Sequence, residues 1–454
     1  MTEVQSGTEG RVTISRRGAE RLRAGHVWVY RSDIVEAKDV QLGGLVLLQE
    51  LSDMNIRPTR ANPPRPRILG AALYSTASEI AVRMISTRPV SDLEQLVRER
   101  IRAAVGYRDR FVENTNAYRV IFSEGDFLPG LIVDRYNDLL SVQIVTQAMD
   151  RSDMREVVMS ELRELLKPAA IVERVDARVR RLEQLPDKES GVIWEGTAEA
   201  DAASAPGTLW DSDSSHPALG APDPGPGGPG LHKTGLHTTG LHKITTEFQM
   251  NGVRFLYDAL EGQKTGAFLD QRENYAAAAQ YARGEALDVF CYQGGFGLHL
   301  AEKCAKVTGV DSSRPALEIA EKNAALNGRE IDWIEANAFD LLRDYADAGR
   351  KYDCIVVDPP AFAKSRQNLG TALSGYKELN LRALKMLRPG GILVSCSCSY
   401  HVSAADLLGT ISSAAVDSHR IIRLLEDRSQ AKDHPIVLGI PETAYLKCLI
   451  LIVS

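Results

Sequence analysis

The sequence has no run of about 18 uninterrupted apolar residues, which excludes a membrane-spanning helix. Residues 1–11 carry no apolar segment, so no secretory leader is expected and a cytoplasmic location is. No two cysteines form a Cys-x-x-Cys pair. All six (Cys291, Cys304, Cys354, Cys396, Cys398 and Cys448) fall in the C-terminal part, a pattern of reduced thiols rather than a disulfide framework; no metal is expected. With 454 residues, 44% hydrophobic and 25% charged, the chain should form two or three globular domains. The net charge of −6 is unevenly spread: residues 1–120 hold 19 Lys+Arg against 14 Asp+Glu, a net +5 that leaves −11 for the remainder. All those N-terminal cations except Lys38 are arginines, whose planar fork suits phosphate and base recognition. An ordinary solvated surface explains so modest an excess equally well.

Residues 1–90 read as a β-rich module, with strands expected at 11–14, 44–49, 70–74 and 80–85. Between two of these lies an unpackable Pro/Arg stretch containing Arg57, Arg60, Arg65 and Arg67, either a phosphate-contacting arm or a plain insertion. Residues 91–195 form an α+β unit: a helix over 92–115, strands at 118–123, 131–136 and 139–145, a helix over 154–166 and a strand at 171–173. Residues 196–243 are rich in Gly, Pro, Ala, Ser and Asp and end in a tandem five-residue repeat, Gly-Leu-His-Lys-Thr and its variants. His232, His237 and His242 in that repeat could chelate a metal, but an expanded linker is the reading adopted. Residues 244–454 form an uninterrupted α/β domain.

That domain opens with a strand around Leu287 and Asp288, passes Phe290, Tyr292, Gly294, Gly295 and Gly297, and continues into a helix expected over 298–306. A strand–glycine turn–helix bares backbone at the carboxyl end of a parallel strand, where open α/β sheets bind ligands. A second strand, 307–310, ends on Asp311 and Ser312, an acid placed to accept hydrogen bonds from both ribose hydroxyls. The dinucleotide motif Gly-x-Gly-x-x-Gly is absent, because Gly295-Phe296-Gly297 is followed by Leu298-His299-Leu300. A nucleoside cofactor without a pyrophosphate, such as S-adenosylmethionine, fits the loop better than NAD.

The β-branched run 352–357 ends in Asp358-Pro359-Pro360-Ala361-Phe362, where prolines terminate the strand and fix an acid at the sheet's edge. A helix closes over 384–387, Arg388-Pro389-Gly390-Gly391 is expected to turn, and the strand 392–399 follows. Alternation puts Cys396 and Cys398 on one face of it, with Cys398 nearer the carboxyl end. Nitrogen and oxygen acceptors need no thiol. A thiolate is needed when the acceptor is an unactivated ring carbon such as cytosine C5: addition at C6 makes C5 nucleophilic toward the methyl sulfonium, and loss of the C5 proton expels the thiol. Asp358 would assist at N3.

The chain resembles the bacterial large-subunit ribosomal RNA cytosine-C5 methyltransferases. Gly25-His26-Val27-Trp28-Val29-Tyr30 is similar to that family's Gly-His-Pro-Trp-Val signature, with Val27 replacing proline. The segment from Asp126 to Tyr136 looks like its Asp-Gly-Leu-Pro-Gly-Leu-x-Val-Asp motif. Lys264-Thr265-Gly266 with Asp270-Gln271-Arg272 resembles its Lys-Thr-Gly-x-x-x-Asp-Gln-Arg motif, and Ser397-Cys398-Ser399 and Asp433-His434-Pro435 follow in family order. The resemblance implies a Rossmann-like class I methyltransferase domain preceded by a β-rich PUA-like domain and a small α+β domain. It implies S-adenosylmethionine as cofactor, ribosomal RNA as partner and Cys398 as nucleophile. Asp311 would hold the ribose; Asn337 and Ala338 would lie near the adenine, where the family often has an acid; Lys264, Thr265 and Arg272 would cover the methionine end. Pro359, Pro360, Phe362 and Lys364, with Arg16, Arg17, His26 and Trp28 in the first domain, are the expected RNA contacts, and a homodimer is compatible with the family. Two rivals stand beside this reading: an amino-methyltransferase, whose Asn/Asp-Pro-Pro loop needs no cysteine, and a non-catalytic RNA-binding or ribosome-assembly factor.

Overall fold

A computed structural model describes residues 10–51, 66–196, 244–260, 266–363 and 365–454. Lys264, Thr265, Lys364, Arg57, Arg60, Arg65 and the histidine repeat lie outside these residues. The N-terminal unit runs β1 (Gly10–Ile14), α1 (Arg16–Arg23), β2 (Trp28–Tyr30), β3 (Ile34–Lys38), β4 (Leu45–Leu51), β5 (Pro66–Tyr74) and β6 (Ile80–Ser86). Its sheet is ordered β2-β6-β5-β4-β1-β3 around Val12, Val29, Leu48, Ala72 and Val82. Sequence patterning finds four of these strands. It misses α1, which buries only Gly18, Ala19 and Leu22 and is started by Ser15, whose hydroxyl accepts from Gly18 N–H. Arg67, expected in a loop, sits on β5 opposite Glu50.

The central unit contains α2 (Leu93–Phe111), β7 (Ala117–Phe122), β8 (Leu131–Tyr136), β9 (Leu139–Ile144), α3 (Ser152–Leu166), β10 (Ala170–Glu173), α4 (Ala177–Leu182) and β11 (Gly191–Glu195). Helices α2 and α3 bury Val97, Ile101, Val158 and Leu162 against the sheet β11-β10-β9-β8-β7. After residue 243, the hairpin β12 (Thr245–Met250) and β13 (Val253–Asp258) is wedged between two units. Tyr136 stacks on its Tyr257 (ring centroids 3.8 Å apart), while Asn323 and Asn327 of the last domain accept from Leu256 and Arg254 N–H.

The last domain comprises α5 (Arg272–Tyr281), β14 (Glu285–Val289), α6 (Gly295–Leu300), β15 (Lys306–Asp311), α7 (Arg314–Leu326), β16 (Asp332–Glu335), α8 (Ala338–Asp347), β17 (Tyr352–Val357), α9 (Leu369–Met386), β18 (Leu387–Ser397), α10 (Ala404–Asp417), β19 (Ile422–Arg428) and β20 (Lys447–Val453). Sheet order is β16-β15-β14-β17-β18-β20-β19, all parallel except β20. Strand order reverses at β14, so the crevice between the ends of β15, β14 and β17 is the topological switch point. Apolar residues on both faces of β14 and β17 explain why these strands read as continuous hydrophobic runs. Three expectations need correction. The first helix spans Gly295–Leu300, not 298–306, because the glycines themselves open it and Lys306 already belongs to β15. Arg388–Gly391 does not reverse the chain. Tyr352 pairs with Leu387 and Cys354 with Ile392, so the four residues bulge out of β18, with Gly390 at φ 77°. That strand ends at Ser397, which leaves Cys398 on the exit loop, off the ladder.

Candidate active site

After β14 the chain folds back through Phe290 (φ 67°), Tyr292 (φ 49°) and Gly294 (φ 84°). Left-handed conformations cost non-glycine residues about 1–3 kcal/mol each and persist only where the surroundings enforce them. Here Phe290 and Cys291 N–H both donate to Val310 O, and Gly297 N–H donates to Asp288 Oδ2 at 2.7 Å. A Cβ on Gly294 would lie 2.7 Å from the Trp333 ring, and one on Gly295 2.5 Å from Tyr275. These glycines therefore permit close packing beneath the loop as well as bare backbone above it.

Asp311 closes the crevice on the β15 side. Tyr292 N–H donates to its Oδ2 and Ser313 N–H to its Oδ1, both at 2.9 Å, so two backbone donors aim the carboxylate. Each oxygen keeps a lone pair for a further donor, and a vicinal diol supplies two. Phe290, Tyr292, Gly295, Asp311, Ser312, Asn337 and Asp358 all retain exposed surface here, which suits an extended nucleoside cofactor. If Asp311 holds the ribose, Asp311→Ala should weaken S-adenosylmethionine binding by about 10–100-fold, the worth of hydrogen bonds to a charged acceptor. Calorimetry on the folded variant reads this, and unchanged affinity would remove Asp311 from the site.

On the β17 side, Asp358 Oδ2 accepts from Gln271 Nε2 at 2.9 Å. Gln271 is in turn held by Asn274 Nδ2 (2.7 Å), and Asn274 Oδ1 accepts from Arg428 Nε (2.9 Å). Burial, then the Asp270 and Asp288 carboxylates, push Asp358 up to about 8, against the Gln271 amide. Asp358 thus carries a proton at neutral pH. Cys398 faces the same loop, its Sγ 3.9 Å from Pro359 O. The loop bearing it is fixed by a chain of hydroxyls: Ser397 Oγ donates to Tyr376 OH (2.9 Å), Tyr376 OH pairs with Ser399 Oγ (3.2 Å), and Ala363 N–H donates to Ser399 Oγ (3.3 Å). The thiol thus lies against the loop that Asp358 opens, on the neighbouring strand.

Several expected contacts fall elsewhere. Asp288 is 1% exposed, so it supports the glycine loop from below rather than lining the crevice; burial pushes it up to about 7. Gly294, Gly297 and Ala338 are likewise buried, and Asn337 Oδ1 caps α8 by accepting from Phe339 N–H at 2.9 Å. Arg272 is not at a ligand surface: it is 1% exposed, with Nη1 3.1 Å from Asp433 Oδ2. His26 and Trp28, both partly exposed, join units, His26 Nε2 lying 3.1 Å from Glu442 Oε2 and Trp28 Nε1 donating to Glu124 at 3.0 Å. Arg16 and Arg17 remain on the outer face of α1, beside Glu20 and Asp33. Pro360 is exposed, Pro359 is buried, and Phe362 packs on Tyr376 (centroids 5.0 Å apart). Cys396 is a core thiol opposite Cys448, pushed well up by burial and by that neighbour. Gln271 was missed by sequence reading although it stands in a motif singled out, because nothing local shows that it reaches Asp358.

Residues 237–449 match the family of S-adenosylmethionine-dependent methyltransferases, and residues 12–52 match a PUA-like domain. A Streptococcus mutans protein described as a SAM-dependent methyltransferase superposes with a TM-score of 0.71 at 16% identity, covering 97% of this chain and 99% of that one, a likeness of fold. Fold, glycine loop and family match together define a class I S-adenosylmethionine-dependent methyltransferase. The ribosomal RNA large subunit methyltransferase I of Aeromonas hydrophila is 35% identical over 391 residues, covering 84% of this chain and 87% of its own length. That of Shewanella amazonensis is 32% identical over 434 residues, 94% of each chain. The chain belongs to the ribosomal RNA large subunit methyltransferase I family, and its cofactor is S-adenosylmethionine.

Proposed function

We propose that this protein methylates C5 of a cytosine in large-subunit ribosomal RNA through a covalent Cys398 adduct, and that it does so in the cytoplasm. The observation that carries the reading is the meeting of Cys398 with the Asp358-Pro359-Pro360 loop, at the edge of the crevice that Asp311 closes. An amino-methyltransferase has no use for a thiol there, and a vestigial binding factor has no use for a proton-bearing acid. S-adenosylmethionine supplies an electrophilic methyl group. Cys398 as thiolate adds to C6, while Asp358 donates to N3 and takes up the charge that the ring gains. C5 would then take the methyl carbon as its bond to the sulfonium sulfur breaks, leaving a neutral thioether. Loss of the C5 proton to a base reforms the C5–C6 double bond and expels the thiolate. The base must leave its stack to reach the thiol. Arg16 and Arg17, on the outer face of α1, would contact RNA backbone, with Pro360 and Phe362 flanking the flipped base.

RNA carrying 5-fluorocytosine tests this, since fluorine cannot leave C5 as a proton does. Incubated with enzyme and S-adenosylmethionine, it should give a denaturation-resistant RNA–protein band whose cross-linked peptide contains Cys398. Methyl transfer to natural RNA with no such band would favour the amino-methyltransferase.

A further inference from the structure

Lys447 opens β20 opposite Ser397 in the antiparallel register, beside the loop that carries Cys398. Only 9% of it is exposed, and its Nζ donates to Ser399 O at 2.6 Å and to Tyr445 O at 2.8 Å. Among the described residues no carboxylate lies within ion-pair distance of it. A buried ammonium held by two neutral carbonyls has lost its hydration without gaining a counter-ion, an arrangement that costs stability unless a negative charge forms nearby. One of those carbonyls belongs to the residue after Cys398. Resting on the proposal that Cys398 is the nucleophile, we infer that Lys447 is its positioning residue, an ammonium that favours the thiolate and is itself stabilised when the thiolate forms.

Among the described residues, the acids and hydroxyls around the thiol do not supply this charge. Tyr376 on α9 is pushed up by burial and stays a neutral hydroxyl. Asp358 on the β17 exit loop, pushed up to about 8, is a neutral acid at pH 7, and Asp406 on α10 is anionic. Cys396 and Cys448 are buried core thiols. His401, on the same loop as Cys398, stands edge-on to Tyr400, ring centroids 5.3 Å apart. Burial lowers Lys447 to about 8, while Cys398 and Asp406 act in the opposite direction. The ammonium is therefore present at neutral pH and lost above about 8.

Alkylation of Cys398 by iodoacetamide, read by mass spectrometry of its peptide across pH 5–10, tests the inference without recourse to activity. In Lys447→Met the titration midpoint of Cys398 should rise by about one unit or more, so that alkylation at pH 7 slows roughly tenfold. Lys447→Arg, which keeps its charge above pH 8, should restore a low midpoint. A merely structural lysine would alter stability or cofactor affinity and leave the midpoint in place, and an unchanged midpoint in Lys447→Met overturns the inference. If that variant does not fold, Lys447→Gln, which can keep a carbonyl hydrogen bond, is read in the same way. Should Cys398 prove dispensable for methyl transfer, the functional reading falls; the midpoints still report whether Lys447 acts on the thiol.

Discussion

Cys398→Ala should bind S-adenosylmethionine as tightly as the wild type and transfer methyl groups at least about 10⁴-fold more slowly, the scale on which covalent enzymes lose rate when their nucleophile is deleted. The split between binding and turnover follows from geometry. The crevice formed by Phe290, Tyr292, Gly295 and Asp311 is built from β14 and β15, whereas Cys398 leaves β18, beyond β17 in the sheet. Removing one sulfur from a partly exposed loop position leaves no core cavity and breaks none of the Ser397–Tyr376–Ser399 hydrogen bonds. Rate measured under saturating cofactor, with affinity measured by calorimetry, decides the matter. Turnover within tenfold of wild type would remove the adduct and leave Asp358 as the anchor of an exocyclic amine. Loss of both binding and turnover would mean that the variant had not kept its fold.

What the sequence disclosed, and what it hid, divides along the range of the interactions. Strands β14, β15 and β17 were legible because two-sided burial makes them apolar and because their ends carry Gly, Asp and Pro, whose backbone effects are local. The hairpin of β7 and β8 was legible for the same reason. Helix α1 was not, since its buried face is only Gly18, Ala19 and Leu22 in a segment of eight residues, four of them arginine, too short for a periodic signal to stand out. Nor was the bulge at Arg388–Gly391: Pro-Gly-Gly predicts a turn equally well, and only pairing with Tyr352 and Cys354 keeps the strand going. Site residues followed the same division. Asp311, Asp358 and Cys398 stand at strand ends and could be placed by counting, whereas Gln271 and Lys447 act through partners 87 and 48 residues away. The family motifs single out His26, Trp28 and Arg272; the first two pair with residues of other units and Arg272 with the buried Asp433, and a motif does not say whether a side chain meets ligand or another part of the protein.

Asp433 is where that second role is concentrated, and Asp433→Ala should destabilise the protein by about 3–5 kcal/mol, the cost of stripping a buried cation of its partner. The residue is fully buried. Its Oδ2 accepts from Arg119 N–H of β7 at 2.8 Å and pairs with Arg272 Nη1 of α5 at 3.1 Å, and its carbonyl accepts from Arg108 Nη2 of α2 at 2.7 Å. Three arginines from two structural units thus converge on one residue. Arg108 is also clamped by Asp126 (2.5 and 2.8 Å) and Arg119 by Asp134 (2.7 and 2.9 Å), whereas the other carboxylate of Arg272 is the partly exposed Glu273 at 3.4 Å, so of the three Arg272 depends most on Asp433 for a buried counter-charge. Burial by itself would raise the Asp433 carboxyl; the His434 ring and Arg272 guanidinium, with the Arg119 N–H, hold it well below the usual carboxylate range. A depressed folded-state value means stability that is fully present above the ordinary aspartate range near 4 and is lost as pH falls below it. Asp433→Ala should therefore lower the apparent melting temperature by on the order of 10 °C at pH 7, with the deficit shrinking toward the wild type under acid. Removing both charges should hurt less than removing one: Arg272→Met/Asp433→Asn should regain part of the loss, because no charge is then left alone in the interior. Thermal scans at pH 7 and pH 3 on the wild type, Asp433→Ala and the double variant read both comparisons. A single Asp433→Ala that melts within a few degrees of the wild type at pH 7 would show that the two units are held together without this residue.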